Sequence, residues 1–254
     1  MARASWYTFQ RTMLRSLPKE VQLLAALFAA ALWLWVLALV VAIVAYPRIQ
    51  RFDERVLLWF RRPEDLSVPI GPEWLLSAAR EITALGSATV LLILIFSVAG
   101  YLLLERRYGL MGLVLVSTFG GVLMTTLFKD FFGRPRPSVV PHLVPVSSLS
   151  FPSGHSLLSA VVYLTLGSLL ARDTTDRVTK TYLVVLSATI TVMIGLSRMY
   201  VGVHYPTDVL GGWVAGTFWA LCCGLIAREL QRRRVITPAE KPVPQRVTRS
   251  SSAA

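Results

Sequence analysis

The chain runs to 254 residues, of which 54% are hydrophobic and only 16% charged, with a mean hydropathy of +0.58 and a formal net charge of +12. A soluble domain carries ~25% charged residues, so an ordinary soluble fold is excluded and an all-α, polytopic membrane protein is expected. Six apolar runs meet or approach the roughly 20 residues that a helix needs to span hydrocarbon; they cover about 21–45, 86–104, 109–128, 155–171, 180–197 and 207–227.

Residues 1–20 carry Trp6, Tyr7 and Phe9 among bases, the composition either of an interfacial segment on the inner leaflet or of a frayed terminus. The first run, Val21 to Ala45, follows Arg11, Arg15 and Lys19 and is unbroken by charge. It is longer than the ~7 to 15 residues of a signal-peptide core, so it reads as a retained span. The connection from Tyr46 to Leu85 holds two amphipathic helices, Phe52 to Arg62 and Pro72 to Thr83, the second opened by a proline suited to a helix N-terminus. Such a stretch is either a lid or lateral wall beside a site, or a connector on the lipid surface. The fourth and fifth runs carry Ser156, Ser159, Thr165, Ser168, Ser187, Thr189 and Thr191, which suit contacts with other helices. Residues 21–235 form one domain without internal repeats, and the tail 236–254, rich in Pro, Ser, Thr and charge, is expected to be disordered.

Charge sidedness sets the topology. With six spans, residues 1–20, 105–108, 172–180 and 228–254 share one side and hold sixteen of the 26 Lys and Arg residues against six acids. The positive-inside bias therefore places both termini in the cytoplasm and the protein in the inner or plasma membrane. It also accounts for the basic excess without nucleic acid, leaving anionic lipid as its natural contact. Cys222 and Cys223 are adjacent inside the sixth run and read as small hydrophobic filler. No His, Cys, Asp or Glu cluster has metal-ligand spacing, so neither a metal nor another cofactor is expected.

Three polar blocks interrupt the apolar chain, all on the extracytoplasmic side in this topology: Lys129 to Pro137, Pro152 to His155, and Ser197 to Asp208. In the first, Lys129 offers a point charge to phosphate, while Arg136 or Arg134 offers a planar fork; each alone also suits a snorkelling helix anchor. In the second, Pro152 and Ser153 introduce a helix whose N–H groups and dipole bind anions. Ser153 adds a hydroxyl, Gly154 lets a ligand approach the backbone, and His155 sits in the first turn. In the third, Arg198 ends the fifth run, and His204 is followed four residues later by Asp208. If Pro206 and Thr207 open the last helix, the Asp208 carboxylate reaches back to one nitrogen of His204 and fixes its tautomer, leaving the other nitrogen as a nucleophile.

Lys129 with Arg136-Pro137 fits K-x6-R-P, Pro152 to His155 fits P-S-G-H, and Ser197-Arg198, His204 and Asp208 fit S-R-x5-H-x3-D, in that order. In these motifs the chain resembles the type 2 phosphatidic acid phosphatase (PAP2) superfamily, and the six runs resemble its integral-membrane branch rather than the soluble haloperoxidases. The resemblance implies a six-helix membrane bundle and metal-independent hydrolysis of a lipid phosphate. His204 would form a phosphohistidine with Asp208 orienting it. His155 would protonate the leaving oxygen and then activate water. Lys129, Arg136, Arg198, Ser153 and the Gly154 N–H would hold the phosphate oxygens. Arg134 falls among the variable positions of the first motif and is left out, and His142 lies outside every motif. The expected partners are the bilayer and a lipid phosphate: undecaprenyl diphosphate, phosphatidylglycerol phosphate, phosphatidic acid or a lipid A phosphate. Phosphotransfer to an acceptor lipid is the nearest rival, and a non-catalytic lipid-phosphate transporter or scaffold is the rival of a different class.

Overall fold

Proline positions and capping residues divide the chain much as the apolar runs suggest. The computed structural model describes residues 47–232, so the first run and both terminal segments lie outside the described residues. Helix α1 (Pro47–Trp59) leads into a short antiparallel hairpin, β1 (Arg61–Arg62) and β2 (Asp65–Pro69), with an irregular register between Arg61 and Arg62. Six further helices follow: α2 (Glu73–Ala84), α3 (Ala88–Leu104), α4 (Tyr108–Phe132), α5 (Gly154–Asp173), α6 (Arg177–Tyr200) and α7 (Pro206–Arg232). The hairpin departs from the all-α expectation. Pro63 disfavours helical backbone at the residue before it, so the amphipathic helix expected to reach Arg62 stops at Trp59 and the chain turns back as strand.

Among the described residues, α4, α5, α6 and α7 are each long and apolar enough to cross a membrane, and α2 with α3, bent by 47° at a short break, supplies a fifth candidate if the pair counts as one. The second expected run, 86–104, is met by the single helix α3: Gly86 and Ser87 form the corner with α2, and Ser87 caps α3 by accepting from the Val90 amide at 3.3 Å. Asp176 caps α6 in the same way, accepting from the Thr179 amide at 2.8 Å. The chain is a multi-pass membrane protein.

Helix α5 lies at the centre, packed against α3, α4, α6 and α7. Its Ser156, Ser159 and Thr165 are buried as expected, whereas Ser168 is exposed. Helix α6 buries Ser187 and Thr191 but exposes Thr189, together with Tyr182, Val185, Val192 and Leu196; among the described residues, one of its faces meets other helices. The α5–α7 contact is made by small residues, the arrangement that lets helix backbones approach within a bilayer. A Cβ on Gly212 would fall 2.7 Å from the Ser153 carbonyl oxygen, and one on Gly216 would fall 2.4 Å from that of Leu157. Indoles fill the flanks: Trp213 lies over Gly195 and donates to Thr191 O at 3.1 Å, and Trp219 lies over Gly120 and donates to Ser117 O at 2.8 Å.

Gly216→Ala is therefore expected to destabilise the fold by about 1–3 kcal/mol through overpacking, whereas Gly100→Ala, with no atom of the described residues within 4 Å of its added Cβ, leaves stability unchanged or slightly raised. Thermal melts of the two variants in detergent check this contrast.

Candidate active site

The three polar blocks converge at one end of the bundle, where α4 and α6 end and α5 and α7 begin. Helix α4 continues past the expected boundary to Phe132, which puts Lys129 in its last turn. Gly133, at φ +57°, ends the helix in the left-handed conformation that glycine adopts at low cost, its amide bonding to Lys129 O at 2.9 Å. The chain thus leaves the helix before Arg134 and Arg136. The Lys129 ammonium donates to Ser148 Oγ at 2.7 Å and Leu149 O at 2.8 Å. Arg136 grips the same loop, donating from Nε to Ser148 O at 2.6 Å and from Nη2 to Ser148 Oγ at 3.2 Å. Its Nη1 donates to Val203 O at 2.8 Å and lies 3.4 Å from His204 Nε2.

The second block caps α5 as expected. Ser153 Oγ accepts from the Ser156 amide at 3.4 Å and from the Ser156 hydroxyl at 3.0 Å, and the Ser153 amide donates to Asp208 O at 3.0 Å, tying the second block to the third. Gly154 faces α4, where an added Cβ would come 3.3 Å from Thr125 Cγ2, so close packing favours a small residue there. His155 packs over Gly86 at the α2–α3 corner and lies within electrostatic reach of Arg198, His204, Lys129 and Arg136.

The third block is the most buried. Arg198 is 4% exposed, donates from Nη1 to Thr83 Oγ1 at 3.2 Å, and has a buried Nε without a partner among the described residues. An unmatched buried donor is costly, and an anion accepted there would relieve it. His204 is 1% exposed, with Nδ1 3.5 Å from Asp208 Oδ2. Asp208, in the first turn of α7, is fully buried. Its Oδ2 also accepts from Ser150 Oγ at 2.5 Å and from the Tyr205 amide at 2.9 Å.

Burial pushes His204 down to about 4, against the opposing pull of Asp208 and with the help of Arg136 and Arg198. The imidazole is thus neutral near pH 7, with Nδ1 turned to the carboxylate and Nε2 facing the cations. Arg136 is also lowered by burial, the direction expected of a cation in a dry pocket.

Every sequence-predicted residue therefore lies in this cluster, and several that sequence reasoning did not select join it. Arg134, set aside as a variable position, donates from Nη1 to Asp208 Oδ1 at 2.6 Å and from Nη2 to Asp53 Oδ2 at 2.8 Å. Its guanidinium lies 4.3 Å over the Tyr205 ring. Its motif position was visible, but its partner lies 81 residues away. Asp53 has no local signal among the charges of α1, and Ser148 and Ser150 sit in an unremarked serine-rich loop. Thr83 at the end of α2 and Gly86 at the α2–α3 corner lie against Arg198 and His155, so this part of the chain forms a lateral wall of the cluster. His142 is an ordinary loop residue, with Nε2 2.7 Å from Pro137 O.

The PAP2 superfamily model matches residues 109–232, which enclose all three blocks. Phosphatidylglycerophosphatase B of Bacillus subtilis is 37% identical over 153 residues, covering 59% of this chain and 74% of that protein. An undecaprenyl-diphosphatase of Sulfolobus acidocaldarius is 30% identical over 127 residues, 48% of this chain but only 57% of that one. The crystal structure of a transmembrane PAP2-type phosphatidylglycerolphosphate phosphatase from B. subtilis superposes with a TM-score of 0.71 at 28% identity, covering 80% of this chain and 97% of that one. By sequence and by fold alike, the chain belongs to the PAP2 superfamily.

Proposed function

We propose that the protein is a lipid phosphatase that removes phosphate from a phosphomonoester or diphosphate lipid through a phosphohistidine on His204, at the extracytoplasmic face of the membrane. The observation that carries this reading is the placement of a buried, neutral imidazole between a carboxylate at Nδ1 and a guanidinium at Nε2. Asp208 holds the proton on Nδ1, and the Nε2 lone pair attacks phosphorus as the bond to the lipid oxygen breaks. His155 delivers the proton that the leaving oxygen takes up. Water then attacks the phosphorus, His155 accepts its proton, and the N–P bond breaks to return the electron pair to Nε2 and free inorganic phosphate. Lys129, Arg136 and Arg198 offset the charge that develops on the equatorial oxygens, and the Ser153 hydroxyl and the Gly154 amide donate hydrogen bonds to them. These fixed cations supply the charge stabilisation that a metal would otherwise provide. The names of the relatives, a phosphatidylglycerophosphatase and an undecaprenyl-diphosphatase, support a lipid phosphate as substrate, and α4 and α6 carry exposed apolar side chains among the described residues that suit contact with its chains.

In a phosphate-release assay on detergent-solubilised protein with phosphatidylglycerol phosphate, phosphatidic acid and undecaprenyl diphosphate, His204→Ala is expected to abolish turnover. His155→Ala is expected to lower kcat by about 10²–10⁴-fold. EDTA should leave the rate unchanged, and vanadate should inhibit. Full activity in His204→Ala contradicts the nucleophile, and chelator sensitivity contradicts the metal-free chemistry.

The burial of His204 adds a pH prediction. Because its pKa is lowered to about 4, the neutral, nucleophilic form persists as pH falls through the usual histidine range near 6.5 and is lost only near 4. Histidine-selective ¹⁵N NMR of the protein in micelles should show the His204 ring, assigned by its loss in His204→Ala, still neutral at pH 5; a titration of that ring near 6.5 contradicts the buried environment.

A further inference from the structure

Asp208 is not held by its neighbours in sequence alone. Arg134 spans two buried carboxylates, Asp208 at 2.6 Å and Asp53 at 2.8 Å, and Thr207 closes the circuit. Its hydroxyl accepts from Arg134 Nη1 at 2.8 Å and donates to Asp53 Oδ2, while its amide donates to Asp53 Oδ1 at 3.2 Å. Asp53 and Asp208 are both 0% exposed. Burial raises the Asp53 carboxyl above its usual range, and donors from a guanidinium, a hydroxyl and an amide oppose that shift by favouring the ionised form. The guanidinium is further fixed by the Tyr205 ring beneath it.

From this we infer that Asp53 and Arg134 are positioning residues for phosphoryl transfer: an Asp53–Arg134–Asp208 clamp that fixes the Asp208 carboxylate behind His204 and sets the net charge there. Neither residue touches the reacting atoms. Arg134 alone would cancel the charge of Asp208 and leave a neutral pair behind the imidazole. Asp53 restores one net negative charge to the group, which favours the cationic ring that exists once phosphorus is bonded to Nε2. The fork geometry matters as well, because a planar guanidinium reaches both carboxylates at once and an ammonium does not. Asp53 lies on α1, so the outer amphipathic helix is part of the site's working geometry and not only a connector.

This inference rests on His204 as the nucleophile, and the test separates the two. Full-length wild type, Asp53→Asn, Arg134→Lys, Asp53→Glu and His204→Ala are compared in micelles containing phosphatidylglycerol phosphate or phosphatidic acid, with kcat, KM, vanadate inhibition and thermal melts measured for each. The clamp predicts that Asp53→Asn and Arg134→Lys lower kcat by about 10- to 100-fold, the size of effect seen when the outer partner of a functional histidine is lost. KM should be unchanged, because Lys129, Arg136 and Arg198 are intact. Vanadate inhibition, which requires the same nucleophile, should weaken by a similar factor, and Asp53→Glu should recover much of the rate. If Asp53→Asn does not fold, Arg134→Lys, which keeps the buried cation, decides the matter by the same readouts. Wild-type kcat in both variants, or a rate loss that follows only the loss of folded protein with no recovery in Asp53→Glu, overturns the clamp. An active His204→Ala, or an inactive wild type, overturns the nucleophile and the clamp with it.

Discussion

The Asp208 carboxylate ties the functional end of this molecule together. It is fully buried, and a buried carboxylate stripped of a partner costs about 3–5 kcal/mol, so the chain must bring donors to it from wherever they lie. They come from the 203–205 turn through the Tyr205 amide, from the loop before α5 through Ser150, and from the segment after α4 through Arg134. The Asp208 carbonyl receives the Ser153 amide as well. Satisfying one residue therefore draws three polar blocks, the third set apart from the first two by two long helices, onto a single locus, and His204 is placed as a consequence.

Around that locus the helices do what glycine and tryptophan allow. Gly212 and Gly216 bring α7 against the first turns of α5, so the N-terminus of α5 stands beside the N-terminus of α7. The start of α5 and the cationic side chains of Lys129, Arg136 and Arg198 then gather around the two histidines, a setting that favours an anion, while burial keeps His204 neutral. The same arrangement explains why Arg198 tolerates an unmatched buried Nε: in the proposed function that donor belongs to the phosphate.

Much of this was legible in the sequence because the relevant signals are local. The order of the three blocks, Ser153 as a cap, Pro206 as the start of the last helix and the four-residue step from His204 to Asp208 are short-range patterns, and each appears in the structure as read. Five of the six apolar runs meet helices, the first lying outside the described residues. What could not be read depends on distance along the chain or on balance within a surface. Arg134 looked interchangeable with any variable position because its meaning lies in Asp53, which itself resembles one more solvated acid on an amphipathic helix. The Arg61 to Pro69 hairpin was hidden because Pro63 cuts short a pattern that the preceding eleven residues support as helix. Thr189 and Ser168 show the converse error, since a hydroxyl on an apolar helix does not by itself say which face is covered.

The most direct measurement is to quench turnover of a lipid phosphate on the millisecond-to-second scale and map the phosphorylated residue by peptide mass spectrometry under conditions that preserve acid-labile phosphoramidates. The expected result is a transient phosphoryl group on His204, accumulating in His155→Ala, where its hydrolysis is slowed. A phosphoryl group on another side chain, or steady turnover with none on the protein, would contradict the chemistry assigned to this site.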